Sequence, residues 1–274
     1  MIQWYPGHMK KARDEITDVI QRVDVVIEIL DARLPVSSSN PVLHELRRRK
    51  PCIRILNKSD LADPVVTDLW VAELEKDKTI RAVPVVGHER ILAKILPQMC
   101  YSLAENKLKR ALRAIVVGIP NSGKSTLINT LAGRKIAKTG NQPAVTKQQQ
   151  KVSLKGKSGN IDISDTPGIL WPNLEDRDGA YRLAASGAIR DTVIDFQDVA
   201  AVSAKYILDN YGEMVVQRYK LTSIPEKGED LLEEIGRRRG CLRKGGVVNM
   251  QKAAEIFINE LRGGKIGRIS LEKP

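Results

Sequence analysis

Aromatic residues, paired cysteines and long apolar runs are all scarce in this sequence, and each shortage excludes something. Aromatic side chains make up 4% of the 274 residues, so Ile, Val, Leu and Ala must fill the core. The three cysteines, Cys52, Cys100 and Cys241, are odd in number and widely spaced. No pair has metal-ligand spacing and no disulfide framework is implied, a usage that suits a reducing cytosol. Cys52 lies in an apolar run and reads as core. The apolar runs are short and interrupted, as in Val25-Val26-Ile27-Glu28-Ile29-Leu30, whereas a spanning helix needs ~20 apolar residues. The opening Met1-Ile2-Gln3-Trp4-Tyr5-Pro6-Gly7-His8 lacks the charged start and apolar stretch of a secretory signal. A cytoplasmic protein without stable membrane association is expected. There is no internal repeat and no low-complexity tract.

What is abundant is positive charge. The formal net charge is +12 and the isoelectric point about 9.6, so polyanions are the natural partners, nucleic acid before an anionic membrane surface. The charge is clustered. Residues 134–157 carry seven basic side chains (Arg134, Lys135, Lys138, Lys147, Lys151, Lys155 and Lys157) and no acidic one. Residues 235–252 carry six and no acidic one, including Arg237-Arg238-Arg239 and Arg243-Lys244, punctuated by glycines. A basic, glycine-broken turn between helices suits RNA phosphates. Its lack of interleaved aromatics argues against base stacking, and a solvated basic surface is the plain alternative.

Periodicity predicts a helix within residues 9–22, then strands at 23–30, 52–56, 82–86, 113–117 and 161–163. Helices are predicted near 41–49, 64–76 and 124–132, with a mostly helical connector over 88–110. Strands alternating with helices imply an α/β fold, a mostly parallel sheet with helices on both faces. Beyond residue 178 the strand signal fades and helices are expected near 178–189, 197–218, 228–238 and 249–262.

Three motifs carry chemistry. Gly118-Ile119-Pro120-Asn121-Ser122-Gly123-Lys124-Ser125 fits the phosphate-binding loop G-x-x-x-x-G-K-[ST]. Its backbone N–H groups, with those of Asn121, Ser122, Gly123 and Thr126 at the start of the next helix, would cradle phosphates. Lys124 would reach the β- and γ-phosphates, and the Ser125 hydroxyl would ligate Mg²⁺. Asp165-Thr166-Pro167-Gly168 follows a strand, where an aspartate holds Mg²⁺ through water and the Gly168 N–H senses the γ-phosphate. Asn57-Lys58-Ser59-Asp60 fits N-K-x-D. The Asp60 carboxylate can accept from guanine N1–H and its 2-amino group, donors that adenine lacks there. Asn57 would contact the other base edge and the Lys58 stem would cover the ring. A helix cap is the bland reading of Ser59-Asp60. Between the phosphate loop and Asp165, Thr146 is chosen over Thr139 as the residue that closes over Mg²⁺ and the γ-phosphate.

The motifs run base reader, phosphate loop, Mg²⁺ aspartate, whereas an ordinary GTPase has the phosphate loop first. The same sheet can form if the connector at 88–110 joins the old ends, which makes the expected domain a circularly permuted P-loop GTPase. The position after Gly168, where many GTPases place a water-orienting glutamine, is Ile169, so turnover should be slow without help. His8, after Pro6-Gly7, is one candidate for supplying that help. K⁺ held by Asn121 is another.

With these motifs in this order, the chain resembles the circularly permuted GTPases of the ribosome-biogenesis GTPase A family over nearly its whole length. The resemblance includes Trp4-Tyr5-Pro6-Gly7-His8-Met9, Asp31-Ala32-Arg33-Leu34-Pro35, Asp165-Thr166-Pro167-Gly168-Ile169-Leu170-Trp171-Pro172 and Gly236-Arg237-Arg238-Arg239-Gly240-Cys241-Leu242. It implies a GTP/GDP-binding cytoplasmic factor in late assembly of the large ribosomal subunit. Hydrolysis would be stimulated by that particle, and a helical C-terminal domain would contact ribosomal RNA. DNA is not an expected partner. It also points to His8. Residues 1–176 are read as the GTPase domain and 177–274 as a smaller all-helical RNA-binding domain. The rivals are a nucleotide-gated RNA-binding scaffold with negligible turnover and a GTPase acting on transfer RNA. Two places depart from the family pattern. Val85-Val86-Gly87-His88 stands where a Ser-Ala backbone contact to guanine is usual, and Ala144 stands where Pro-Gly-Val is usual.

Overall fold

The computed structural model describes residues 17–87, 89–104, 110–135, 151–157, 159–165, 176–189 and 191–274. His8, Thr139, Thr146, Gly168, the segments 4–9 and 166–172, His88 and Ala144 lie outside the described residues, and of Asp165 the backbone alone is described.

Six strands form one sheet: β1 (Val25–Asp31), β2 (Cys52–Asn57), β3 (Ile80–Val85), β4 (Leu112–Gly118), β5 (Lys151–Gly156) and β6 (Gly159–Asp165), in the spatial order β3-β2-β1-β4-β6-β5. Neighbours are parallel except β5, which pairs antiparallel with β6 at the edge. β1 and β2 are buried along their whole length, as continuous apolar strands must be when both faces are covered.

The period-2 alternation divides β1 between two cores. Val25, Ile27 and Ile29 pack with residues of α3 (Ile91–Leu103) and α4 (Lys124–Ala132). Val26 faces the other way, toward Ile20 and toward Leu43 of α1 (Pro41–Arg47). Leu30 joins Leu56 and Trp70 of α2 (Pro64–Leu74). Glu28 interrupts the apolar run and is buried, and Arg54 answers it directly across the register at 3.0 Å. Cys52, Cys100 and Cys241 are all buried free thiols. Burial comes first in pushing the Cys52 thiol up to about 12, with Glu28 adding to it, so Cys52 serves as core.

The chain continues as α5 (Arg177–Ser186), α6 (Phe196–Tyr219), α7 (Gly228–Arg238) and α8 (Met250–Arg262) around a second apolar core. α6 is kinked at Tyr211, whose φ/ψ of −142°/29° is not helical. No helix among the described residues is long and apolar enough to cross a membrane.

Two differences from the sequence expectation stand out. Residues 151–156 form β5, a strand not among those expected, within the basic stretch. Alternation explains it: Val152 and Leu154 are buried while Lys151, Ser153 and Lys155 are exposed. The second is the tail. Residues 264–272, with no regular secondary structure, return from the helices to the sheet, and Ile266, Ile269 and Leu271 are buried on arrival. The second core also takes in Leu34 and Ile119 from the sheet's loops.

Candidate functional site

In an open parallel sheet, ligands bind beyond the carboxyl ends of the strands, where successive connections depart in opposite directions. Here β1 leads to β2 and β3 on one side, and the chain then crosses to β4 on the other, so that switch lies between β1 and β4. The parallel strands put the end of β1 (Asp31), the end of β2 (Asn57), the end of β4 (Gly118) and the end of β6 (Asp165) along one edge. Motifs separated by more than a hundred residues in sequence therefore end on the same edge.

The contact between them is direct. Asn57 is buried, and its amide Nδ2 donates to the Ser122 carbonyl at 2.7 Å, fastening the N-K-S-D turn to the phosphate loop. Asn57 Oδ1 is buried without a hydrogen-bond partner among the described residues. Gly123 has φ +100°, and a Cβ there would lie 2.0 Å from Asn57 Nδ2, so only glycine permits this approach. At the loop's other end a Cβ on Gly118 would meet the Ile29 carbonyl at 2.6 Å.

Within the loop, Lys124 is buried at the first turn of α4 with its ammonium donating to the Ile119 carbonyl at 2.7 Å. The Ser122 hydroxyl donates to the same carbonyl at 2.9 Å. Ser125 is half-buried and Thr126 exposed at the start of α4, where the first N–H groups of a helix have no intrahelical acceptor. This glycine-walled, cation-bearing cradle at a helix N-terminus fits a polyphosphate. Ser125 at the start of α4 and Asp165 at the end of β6 are oxygen-bearing residues of the kind that Mg²⁺ takes. Asn121, left-handed at φ +58°, donates through Nδ2 to the Gly187 carbonyl at 2.7 Å, joining the loop to the end of α5.

Lys58 is also left-handed, at φ +60°, a conformation costly for a residue with a Cβ. It is held there by a buried ionic cluster that the sequence reading assigned no role. Asp31 accepts from Lys58 Nζ at 2.8 Å and, bidentately, from Arg33 Nε at 2.9 Å and Nη2 at 2.8 Å. Burial alone would raise the Asp31 pKa. The Arg33 and Lys58 charges outweigh it and hold the carboxyl well below the usual carboxylate range. Arg33 is 2% exposed, and its Nη1 has no partner among the described residues. The available signal was a charged Asp-x-Arg triplet closing an apolar strand, and ions placed there must be paired. Asp60 stands exposed just beyond the end of β2, where its carboxylate is open to a ligand. Gly87, after β3, lies against Asn57: a Cβ on it would sit 3.0 Å from Asn57 Oδ1. Its carbonyl accepts from the Thr130 hydroxyl at 3.0 Å.

The arginine run that looked uncompensated in sequence is partly neutralised in space. Arg237 and Arg238 pair with Glu233 and Glu234 one turn earlier on α7. Arg239 pairs with Glu260 of α8 at 2.8 Å and lies over the Tyr219 ring. Glu260 also pairs with Arg218 at 2.8 Å. Further on, Arg243 and Lys244 are exposed and have no ion-pair partner among the described residues. They occupy a tight hairpin closed by Arg243 N–H to Val247 O and by Asn249 N–H to Cys241 O.

Comparison with known proteins agrees with this geometry. Residues 113–222 match the family model described as 50S ribosome-binding GTPase. Ribosome biogenesis GTPase A of Bacillus licheniformis is 46% identical over 286 aligned positions, covering 100% of this chain and 99% of the relative. A GDP-bound structure of TM YlqF is 30% identical, with a TM-score of 0.65, covering 95% of this chain and 99% of that one. The GNP-bound YlqF of T. maritima is 31% identical at the same TM-score, covering 96% and 98%. Sequence similarity along the full length, a matching fold and the cleft geometry agree: the chain belongs to the ribosome biogenesis GTPase A family and is a GTPase of ribosome biogenesis.

Proposed function

We propose that this GTPase acts on the assembling large ribosomal subunit in the cytoplasm, through a circularly permuted GTPase domain over residues 1–176 and an RNA-binding helical domain over 177–274. The observation that carries the reading is the Asn57–Ser122 bond, which joins an early N-K-S-D turn to a later phosphate loop at one sheet edge. In this reading Asp60 selects guanine, Asn57 and Lys58 shape its pocket, and Asn121 to Thr126 hold the phosphates. Ser125, Asp165 and Thr146 hold Mg²⁺, which when bound neutralises charge on the β- and γ-phosphates. Lys124 stabilises charge on the transferred group, and Gly168 senses the γ-phosphate. The family description of 50S ribosome binding supports the choice of subunit. Multiple-turnover GTP hydrolysis with and without purified large subunits tests it. Unchanged turnover would favour the scaffold reading. Mature large subunits in sedimentation profiles after depletion would favour action on transfer RNA.

Ile169 cannot orient water, so slow turnover alone and help from His8 and from K⁺ at Asn121 complete the proposal. His8→Ala is expected to lower particle-stimulated kcat by ~10²-fold or more with little change in GTP affinity. Turnover should be faster in K⁺ than in Na⁺, a difference that Asn121→Ala removes. Single-turnover hydrolysis on large subunits in both salts checks this, and a parental rate for His8→Ala makes the histidine structural.

The basic residues are expected to divide by their partners. Removing Arg243 and Lys244 together should weaken ribosomal RNA binding and flatten the slope of log affinity against log salt by about 0.7–0.9 per lost contact, with thermal stability unchanged. Arg239→Ala should instead lower Tm by roughly 2–4 °C, the shift that a loss of about 1 kcal/mol gives a chain of this size, because Glu260 loses a partner and Tyr219 its cover. A salt slope that responds only to Arg239 would reverse the assignment.

A further inference from the structure

The returning tail is bonded to one short piece of backbone above all. Arg268 Nη2 donates to the Ser59 carbonyl at 2.9 Å, and its Nε donates to the Ala62 carbonyl at 2.9 Å. The Ile269 N–H donates to the Leu61 carbonyl at 2.9 Å, and the Ser270 hydroxyl accepts from the Asp63 N–H at 3.2 Å. Four successive tail contacts thus fall on residues 59–63, the stretch that contains Asp60. The far end is anchored separately. Glu272 accepts from the Val36 and Ser37 N–H groups and the Ser37 hydroxyl, and its carbonyl accepts from Trp70 Nε1 at 3.2 Å. The near end leaves α8 directly, where the Lys265 N–H closes on the Glu260 carbonyl at 2.9 Å. The tail is therefore a strap fixed at both ends across the N-K-S-D turn.

A carboxylate at a loop tip can accept two guanine donors at once only if the backbone beneath it is fixed, to within about 0.5 Å. The turn supplies part of that rigidity, through Leu61 N–H to Lys58 O and Ser59 N–H to Val85 O. Ser59 and Ala62 flank Asp60 in the chain, and one planar guanidinium meets both carbonyls through two different nitrogens, a fixed fork that a lysine ammonium lacks. We infer that Arg268 is a positioning residue for guanine recognition, acting through the backbone of residues 59–63 to hold Asp60 in register with the base. This rests on the reading of Asn57–Asp60 as the guanine reader. It gives the helical region, through its last nine residues before Lys273, a direct hold on nucleotide affinity.

The test uses the full-length chain and measures dissociation constants for GTP, inosine triphosphate and xanthosine triphosphate. Inosine lacks the 2-amino group and so reports on one of the two Asp60 bonds. Arg268→Ala is expected to weaken GTP binding about tenfold, as the loss of a charge-assisted contact does, and to narrow the ratio of GTP to inosine triphosphate affinity. Arg268→Lys should be intermediate. Because the Arg268 side chain is exposed, Tm should hardly move. Asp60→Asn serves as the control for the underlying reading. If it turns preference toward xanthosine triphosphate while Arg268→Ala keeps the parental affinity and ratio, the strap is overturned and the base reader stands. If Arg268→Ala weakens both nucleotides equally and lowers Tm, its role is structural and the inference fails. If Asp60→Asn binds GTP as the parent does, both ideas fall together.

Discussion

Replacing Asp60 with asparagine is expected to lower GTP affinity by up to ~10⁴-fold and to raise affinity for xanthosine triphosphate, with the fold intact. A site built to pair with specific donors discriminates by about 10⁴–10⁵ when the pairing is lost, because its polar groups are then left without partners. The asparagine amide would face the guanine 2-amino group donor to donor. Xanthine carries a carbonyl at that position, which the same amide can meet. Asp60 is exposed, so the substitution disturbs no packing. Competition binding against GTP, ATP and xanthosine triphosphate checks this. A variant that retains parental GTP affinity would show that the N-K-S-D turn does not read the base, and since Asp63 caps α2 the turn would not be a helix cap either.

Asp31→Ala carries the largest expected cost in stability, about 3–5 kcal/mol, because it strands buried Arg33 and half-buried Lys58 without their shared carboxylate. For a chain of this size that corresponds to a fall in Tm of roughly 10 °C. Asp31→Asn, which keeps one acceptor, should fall less. The pH dependence has a definite sign. The Asp31 carboxyl is held below its ordinary value in the folded chain, so its contribution is complete above the unfolded carboxylate pKa of about 4. It is lost as pH falls through the depressed folded value. The difference in Tm between parent and Asp31→Ala should therefore be constant near neutrality and shrink only in strong acid. Nucleotide affinity should weaken as well, since Lys58 is left-handed and Asp31 holds its ammonium. Calorimetric unfolding from pH 7 downward decides the matter, and parental stability at pH 7 would mean that Arg33 finds another partner.

The elements closest to their expected bounds are those whose signal is local. α4 begins at Lys124 because the phosphate loop ends there, and α2 begins at Pro64 because Asp63 caps it, accepting from the Val65 and Val66 N–H groups. β5 escaped notice because basic residues occupy its exposed positions and leave only Val152 and Leu154 as apolar signal. The kink at Tyr211 adjoins Gly212, a residue type at which helices commonly bend. The Tyr211 hydroxyl there accepts from the Ser270 N–H at 3.3 Å and donates to Asp63 at 3.3 Å, contacts that no local pattern announces.

The sequence by itself determined that a GTPase of ribosome biogenesis should be expected. Gly118 to Ser125, Asn57 to Asp60 and Asp165 are the patterns on which the proposed phosphate, guanine and Mg²⁺ roles rest, because each pattern is local and each residue type suits the ligand's own donors and acceptors. It also determined the alternation of strands and helices, and hence a parallel sheet whose carboxyl edge would gather the motifs. Tertiary structure alone decided which charges are available and what holds the turns. Arg237, Arg238 and Arg239 are equal in sequence, but Glu233, Glu234 and Glu260 reach them only after α7 and α8 have packed. Arg33 and Arg268 are ordinary arginines until folding brings one to Asp31 and the other to carbonyls two hundred residues away. The physical reason is that ion pairing and carbonyl capture depend on distance in space, and a linear pattern encodes that distance only within one helix, strand or turn.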